Sequence, residues 1–199
     1  GDAPGLVRGV AAGDTARAEV VGAHIEQIVA GLHLHHQGED LLLWDLLESR
    51  APACALHVGQ MRTQHQAISD QLDEVRTHLS AWRSSASAED RERLAAFLDR
   101  VLDTLTQHLG QEEDQIVPVA STSLTQAEWD QLGKHGMSQI PPNQLMIQLR
   151  AMLESMPPED RAGWMKANLP TLPRLLWALL GKRQYAGYRR RVYGDAAAA

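Results

Sequence analysis

Cysteine, phenylalanine and long apolar runs are scarce in this chain. Its 199 residues hold one cysteine and one phenylalanine, and aromatics make up 5% in all. The single thiol, Cys54, excludes an internal disulfide framework and makes a reducing compartment the default expectation. No run of about 18 apolar residues occurs, so no membrane span is expected. No signal-peptide pattern opens the sequence, and a cytoplasmic location is the expectation. The formal net charge of −6 argues against a nucleic-acid partner, which would call for a basic face. Leu, Ala, Gln, Glu and Arg are plentiful, a mix that favours helices. A chain of this length can bury one good core with room for a small second unit.

The hydrophobic pattern has helical period over three long stretches. Leu6, Val7 and Val10 form a short apolar pattern that stops at Ala12-Gly13. Asp14 or Thr15 can cap a helix that runs to about Glu48, with the stripe Ile25, Ile28, Leu32, His35, Glu39, Leu42, Leu46. Pro52 starts the next, with the stripe Val58, Met61, His65, Ile68, Leu72, Val75, Leu79, Trp82. Ser87 and Asp90 resemble a capping box for a third. Its stripe is Leu94, Leu98, Val101, Leu105, His108, Glu112, Gln115 or Ile116, Val119, with Pro118 ending or kinking it.

Each stripe is interrupted by the same residue types: His35 and Glu39, then His65, then His108 and Glu112. His35 and Glu39 are one helical turn apart, on one face, as are His108 and Glu112. In an up-and-down bundle with short loops, depth can be counted from the turns. His35 lies about 14 residues before the turn at Ser49 to Ala51 and His65 about 14 after it, so at about 1.5 Å per residue both sit about 21 Å from it. The same count brings His108 to that level within a turn. Unrelated core histidines have no reason to share a height. A first helix reaching this layer would need its ligand roughly eight positions upstream of Gly1. The expectation is that a preceding segment carries that ligand, a His.

Ionisable groups on a core stripe cost several kcal/mol, on the order of the penalty for a buried unpaired charge, unless something compensates. A cation is the most economical compensation. Imidazole with carboxylate suits Fe, Mn or Zn, and two bridging carboxylates favour a dinuclear site. The candidate metal ligands are therefore His35, Glu39, His65, His108 and Glu112. Glu113 is the alternative bridge, although it leaves the stripe. His33 and His36 read as solvated or supporting residues on other faces, with His36 and Asp40 a surface pair. His24, His57, His78 and His135 read as exposed; one of them, or Tyr185, is an alternative further ligand. Trp44 reads as core and Cys54 as a packed thiol.

Punctuation changes after residue 120. Thr125 and Glu128 form a capping box, and Pro141-Pro142 and Pro157-Pro158 each read as opening a short helix. A last helix is expected from about Leu172 to Tyr193, apolar at its front (Leu175, Leu176, Trp177, Leu179, Leu180) and basic at its rear (Lys182, Arg183, Arg189 to Arg191). Ala196 to Ala199 read as a frayed tail. The fold expected is all-α: an up-down four-helix bundle over 1–120, its first helix truncated, and a helical C-terminal extension over 121–199.

These motifs resemble the hemerythrin-like family, described by its HHE cation-binding pattern. That pattern is a His on the first helix, His-x-x-x-Glu on the second, His on the third and His-x-x-x-Glu on the fourth. His35 to Glu39, His65, and His108 to Glu112 match the last three elements, and the resemblance covers roughly residues 6 to 120. The extension is similar to those of actinobacterial members. The resemblance implies two Fe ions bridged by carboxylates and an oxo or hydroxo group, and chemistry with a small oxidant: O2, peroxide or NO. Oxygen carriers of the family have a second His four residues after the first on the third helix; Ser69 stands there. That departure implies a more open shell on one iron, and favours redox turnover, such as peroxide disproportionation, or sensing. A metal-stabilised sensory or partner-binding module without turnover is the alternative.

Overall fold

The computed structural model describes residues 2–169, 174, 177 and 181–194. Its elements are helical, with no strand among the described residues. They run α1 (Ala3–Arg8), α2 (Thr15–Leu42), α3 (Trp44–Arg50), a 3-10 turn (Pro52–Cys54), α4 (Ala55–Ser85), α5 (Ala88–Gln115), α6 (Val117–Ser123), α7 (Gln126–Ser138), α8 (Leu145–Ser155), α9 (Pro158–Asn168) and α10 (Lys182–Tyr193). No helix among them is long and apolar enough to cross a membrane. The chain divides into two compact units, Gly1–Ser138 and Gln139–Ala199. The division falls later than the boundary expected at 120, because α7 packs on α2.

In the first unit α1 packs on α2 and α5, α2 on α4, and α4 on α5, which closes a four-helix ring. Local chemistry sets the ends. The Asp14 carboxylate accepts the Arg17 N–H at 2.9 Å, and Ser87 Oγ accepts the Asp90 N–H at 3.1 Å. Ala86, at φ 46°, ends α4 in the left-handed conformation, and its carbonyl accepts the Gly13 N–H at 2.9 Å. That bond ties the α4–α5 turn to the α1–α2 turn. Pro118 falls in the first turn of α6 and so ends α5 without breaking it. Thr125 and Glu128 cap α7 reciprocally, through Thr125 N–H to Glu128 Oε2 at 2.9 Å.

The stripes expected on α4 and α5 are the buried ones. Val58, Met61, His65, Ile68, Leu72, Val75, Leu79 and Trp82 all face inward, as do Leu94, Leu98, Val101 and His108. On α2 the buried face keeps Ile25 and Glu39 of the expected stripe but takes the next residue at Val29, His36, Leu43 and Leu47 in place of Ile28, His35, Leu42 and Leu46. Ile25, Val29, His36 and Glu39 are buried on α2, and Leu43 and Leu47 continue that face, whereas Ile28 is 40% exposed. The apolar run Leu41-Leu42-Leu43-Trp44 surrounds the helix, so periodicity there could not choose between adjacent registers. The backbone also breaks step at Leu43, so the expected single helix to Glu48 is two, α2 and α3.

The core of this unit consists of two apolar clusters. One gathers Val7, Val21, Ile25, Leu72, Trp82 and Leu94 toward the Gly13–Ala86 end. The other gathers Leu43, Trp44, Leu47, Val58, Met61 and Ile116. Along α2, α4 and α5 alike, the sequence passes from one cluster to the other through a histidine: His36, His65 and His108.

The second unit has its own small core of Leu149, Leu153 and Trp177, bordered by Met146, Trp164 and Met165. Pro158 opens α9 as expected. Pro141-Pro142 does not open α8: it makes a turn closed by Gln144 N–H to Pro141 O at 2.8 Å, and the helix starts at Leu145. Of the expected last helix, Lys182–Tyr193 is α10; Leu172, Leu175, Leu176, Leu179 and Leu180 lie outside the described residues, as does the Ala196–Ala199 tail.

Candidate metal centre

Between the two apolar clusters lies a layer of imidazole and carboxyl groups. The rings of His36 and His65 are 4.5 Å apart between centroids, those of His65 and His108 4.9 Å, and those of His36 and His108 5.1 Å. Each of these three rings offers a nitrogen, and the three nitrogens lie within 4.8 Å of one another. His35, His36 and Glu39 meet the same condition, so His36 belongs to both groups. Glu39 Oε1 is 3.3 Å from His35 Nε2, and its Oε2 is 3.6 Å from His65 Nε2. Glu112 completes the layer from α5, with Oε2 3.9 Å from His108 Nε2. Its carboxyl is near enough to that of Glu39 to raise the Glu39 pKa.

All five residues expected from the sequence are thus neighbours, but their depths differ. Glu39, His65 and His108 are buried and Glu112 nearly so, while the His35 side chain is 51% exposed. Glu113, the alternative bridge, is exposed. His36 corrects the sequence reading most directly. It is 5% exposed and stands in the middle of the cluster. It makes no surface pair with Asp40, because residue 36 occupies the buried face that the stripe had assigned to residue 35. Asp40 instead accepts from His65 Nδ1 at 2.8 Å and from the Trp44 indole N–H at 2.7 Å. Other histidines were also misplaced. His24 is buried, and His57, His78 and His135 are half-buried, with His78 lying on the Phe97 ring. Tyr185 donates its hydroxyl to Glu154 at 2.8 Å in the second unit. Trp44 is core and the Cys54 thiol is packed, as expected.

The rings are held with one nitrogen each left for another partner. Asp40 takes the Nδ1 side of His65, and Gln64 Oε1 takes the Nδ1 side of His108 at 3.0 Å. Gln64 is itself fixed by donating to Gln111 Oε1 at 2.6 Å. A carboxylate or carbonyl acceptor at Nδ1 makes that nitrogen the N–H donor, so Nε2 presents its lone pair. The Nε2 atoms of His36, His65 and His108 are all buried and unpartnered, and so is Glu39 Oε2. Buried polar atoms without partners are rare and costly, about 1–3 kcal/mol each. Four of them in one layer fit a cation that would accept their lone pairs.

Electrostatics agree with that fit. Burial, reinforced by His65 and the other neighbouring imidazoles, pushes His36 down to about 3. Burial, then His65, lowers His108. Both are neutral imidazoles at neutral pH. Burial first, and then the Glu112 carboxylate, raise Glu39 far above the usual carboxylate range. A site that neutralises its bases and protonates its acid lacks a positive charge.

Asp40 and Gln64 were missed by the sequence reading. The signal for Asp40 was its spacing: Trp44 follows it by four residues, so the indole and carboxylate share a face. Gln64 immediately precedes His65 on α4, and nothing in its own pattern marks it.

A helical bundle that carries such a layer across α2, α4 and α5 is a cation-binding bundle by construction. Residues 5–120 match the hemerythrin family, described as the hemerythrin HHE cation binding domain, and the chain belongs to that family. No curated protein and no solved structure gives a significant match.

Proposed function

We propose that the bundle holds two iron ions and that the pair exchanges electrons with a small oxidant. The observation that carries this reading is the convergence of four buried, unpartnered ligand atoms from three helices. His36, His65 and His108 would form one ligand group and His35, His36 and Glu39 another, with Glu39 beside His65 and Glu112 beside His108. Nitrogen and oxygen donors without thiolate suit iron, and manganese or zinc fit the same set. Two ferrous ions held together would supply the two electrons that, with two protons, take hydrogen peroxide to two waters. The protein's own work is to keep the imidazoles neutral, fix their tautomers through Asp40 and Gln64, and exclude bulk water with the apolar clusters above and below.

Anaerobic protein loaded with ferrous iron and mixed with peroxide or O2 tests this reading. New near-ultraviolet and visible absorption is expected, lost in His65→Ala. A spectrum unmoved by either oxidant overturns it. The separate compact unit over Gln139–Ala199 supports a second reading, a metal-stabilised module that presents a partner site. Melting of the bundle on metal removal, with no oxidant-dependent spectrum, would favour that one.

A further inference from the structure

A cavity of about 120 Å³ lies between α2 and α4 and is lined by His33, His36, Asp40, His65, Ser69 and Leu72 among others. We infer that this cavity is the route to the imidazole layer and the holding site for a small, uncharged, hydrogen-bonding oxidant, and that His33 and Ser69 position it there. The inference rests on the oxidant reading above.

Size comes first. A water molecule takes about 30 Å³ of liquid volume, so the cavity suits molecules of a few heavy atoms. Location comes second. His36 and His65 belong to the imidazole layer, and both also line the cavity, so a molecule inside it is already against the site. Ser69, one turn along from His65, lines this space with a small side chain.

Lining chemistry selects the occupant. Gln37, Gln66, Ser69 and His33 offer hydrogen bonds, and Leu72 is the apolar member of the set. Such a wall holds hydrogen peroxide better than O2, which has little to offer a hydrogen-bond donor. Charge argues against anions. Arg62 at the lining is paired with Asp45 at 2.6 Å and lies 3.7 Å from Glu48, and Asp40 adds a further carboxyl group. Carboxyl groups outnumber the guanidinium there, so an anionic oxidant meets repulsion.

The positioning pair is a cross-helix hydrogen bond. Ser69 Oγ and His33 Nε2 are 3.2 Å apart, while His33 Nδ1 is buried with no partner. A serine hydroxyl both donates and accepts, so it can exchange its imidazole partner for a peroxide oxygen.

Two measurements on the full chain test the inference. In Ser69→Cys, the introduced thiol is challenged with methyl methanethiosulfonate and with an anionic aromatic disulfide, using the parent as background for Cys54. The small neutral reagent is expected to react at least 10-fold faster, with iron content unchanged. Equal rates, or no reaction, overturn the inference whether or not the centre is redox-active. The iron-loaded Ser69→Leu and His33→Leu variants are then oxidised with peroxide, after matching iron content and melting temperature to the parent. At least 10-fold slower oxidation is expected in both, with His33→Gln recovering most of the rate. Parent-like rates in both leucine variants overturn the inference. An iron-loaded parent inert to peroxide overturns the oxidant reading, while thiol labelling still reports whether the cavity admits small molecules.

Discussion

Asp40 Oδ1 lies 2.8 Å from His65 Nδ1, joining α2 to α4 through a carboxylate–imidazole bond beside the metal layer. The same oxygen accepts the Trp44 indole N–H at 2.7 Å, which locks the carboxylate in place. Removing it frees the His65 ring to rotate and to change tautomer. Asp40→Ala is expected to weaken metal binding about 10- to 100-fold with little change in helicity. Competition against a chelator of known affinity checks it, and an unchanged affinity would remove Asp40 from the account.

Two of the three stripes were legible in the sequence because their polar and apolar residues alternate cleanly. On α4 and α5, Gln64, Gln66, Thr104 and Thr106 flank the inward positions and fix the register. Within residues 41–44 every position is apolar, so the pattern there does not choose between adjacent registers. Adjacent positions on a helix point about 100° apart, so a choice between neighbouring residues decides which one faces the core. That choice made His36 a surface residue and His35 a core one, while Ile25 and Glu39 were placed correctly. Shared depth was still readable, since one residue is only about 1.5 Å along the axis. Cross-helix bonds such as Gln64 to His108 depend on side-chain reach between elements, and no periodicity encodes them.

Metal binding should displace a proton from Glu39, because burial and Glu112 keep that carboxyl protonated in the metal-free fold at neutral pH. His36 and His108 are already neutral and release none. Zinc titration by calorimetry at pH 7, in buffers of different ionisation enthalpy, is expected to report about one proton released per chain at this group. Glu39→Gln should abolish that release.

Stability of the metal-free bundle should follow the same groups. Glu39 has a folded pKa above its unfolded one, so its contribution is present below about 4.5 and is lost as pH rises through the folded value. His36 has a folded pKa of about 3, so the fold loses stability as pH falls below the ordinary histidine range toward that value. Thermal melts without metal should therefore decline from pH 6 to pH 9 by more than melts of Glu39→Gln. Added zinc should flatten the decline, since a cation then faces the ionised carboxylate.

Packing away from the layer should behave as ordinary core. Leu94→Ala removes a fully buried side chain from the cluster near Trp82 and is expected to cost about 2–5 kcal/mol. Leu56→Ala, 73% exposed, should change stability by less than about 0.5 kcal/mol. Urea unfolding of both variants under one metal condition makes the comparison.

Metal content decides whether the bundle holds a cation at all. Protein purified without added metal and then loaded anaerobically with ferrous iron is analysed by plasma mass spectrometry beside His36→Ala, because His36 belongs to both ligand groups. About two metal atoms per chain are expected in the parent and fewer than one in the variant, with a higher melting temperature only where metal is bound. A parent chain that retains no iron, manganese or zinc, and melts at one temperature with or without them, would contradict a core built to hold a cation.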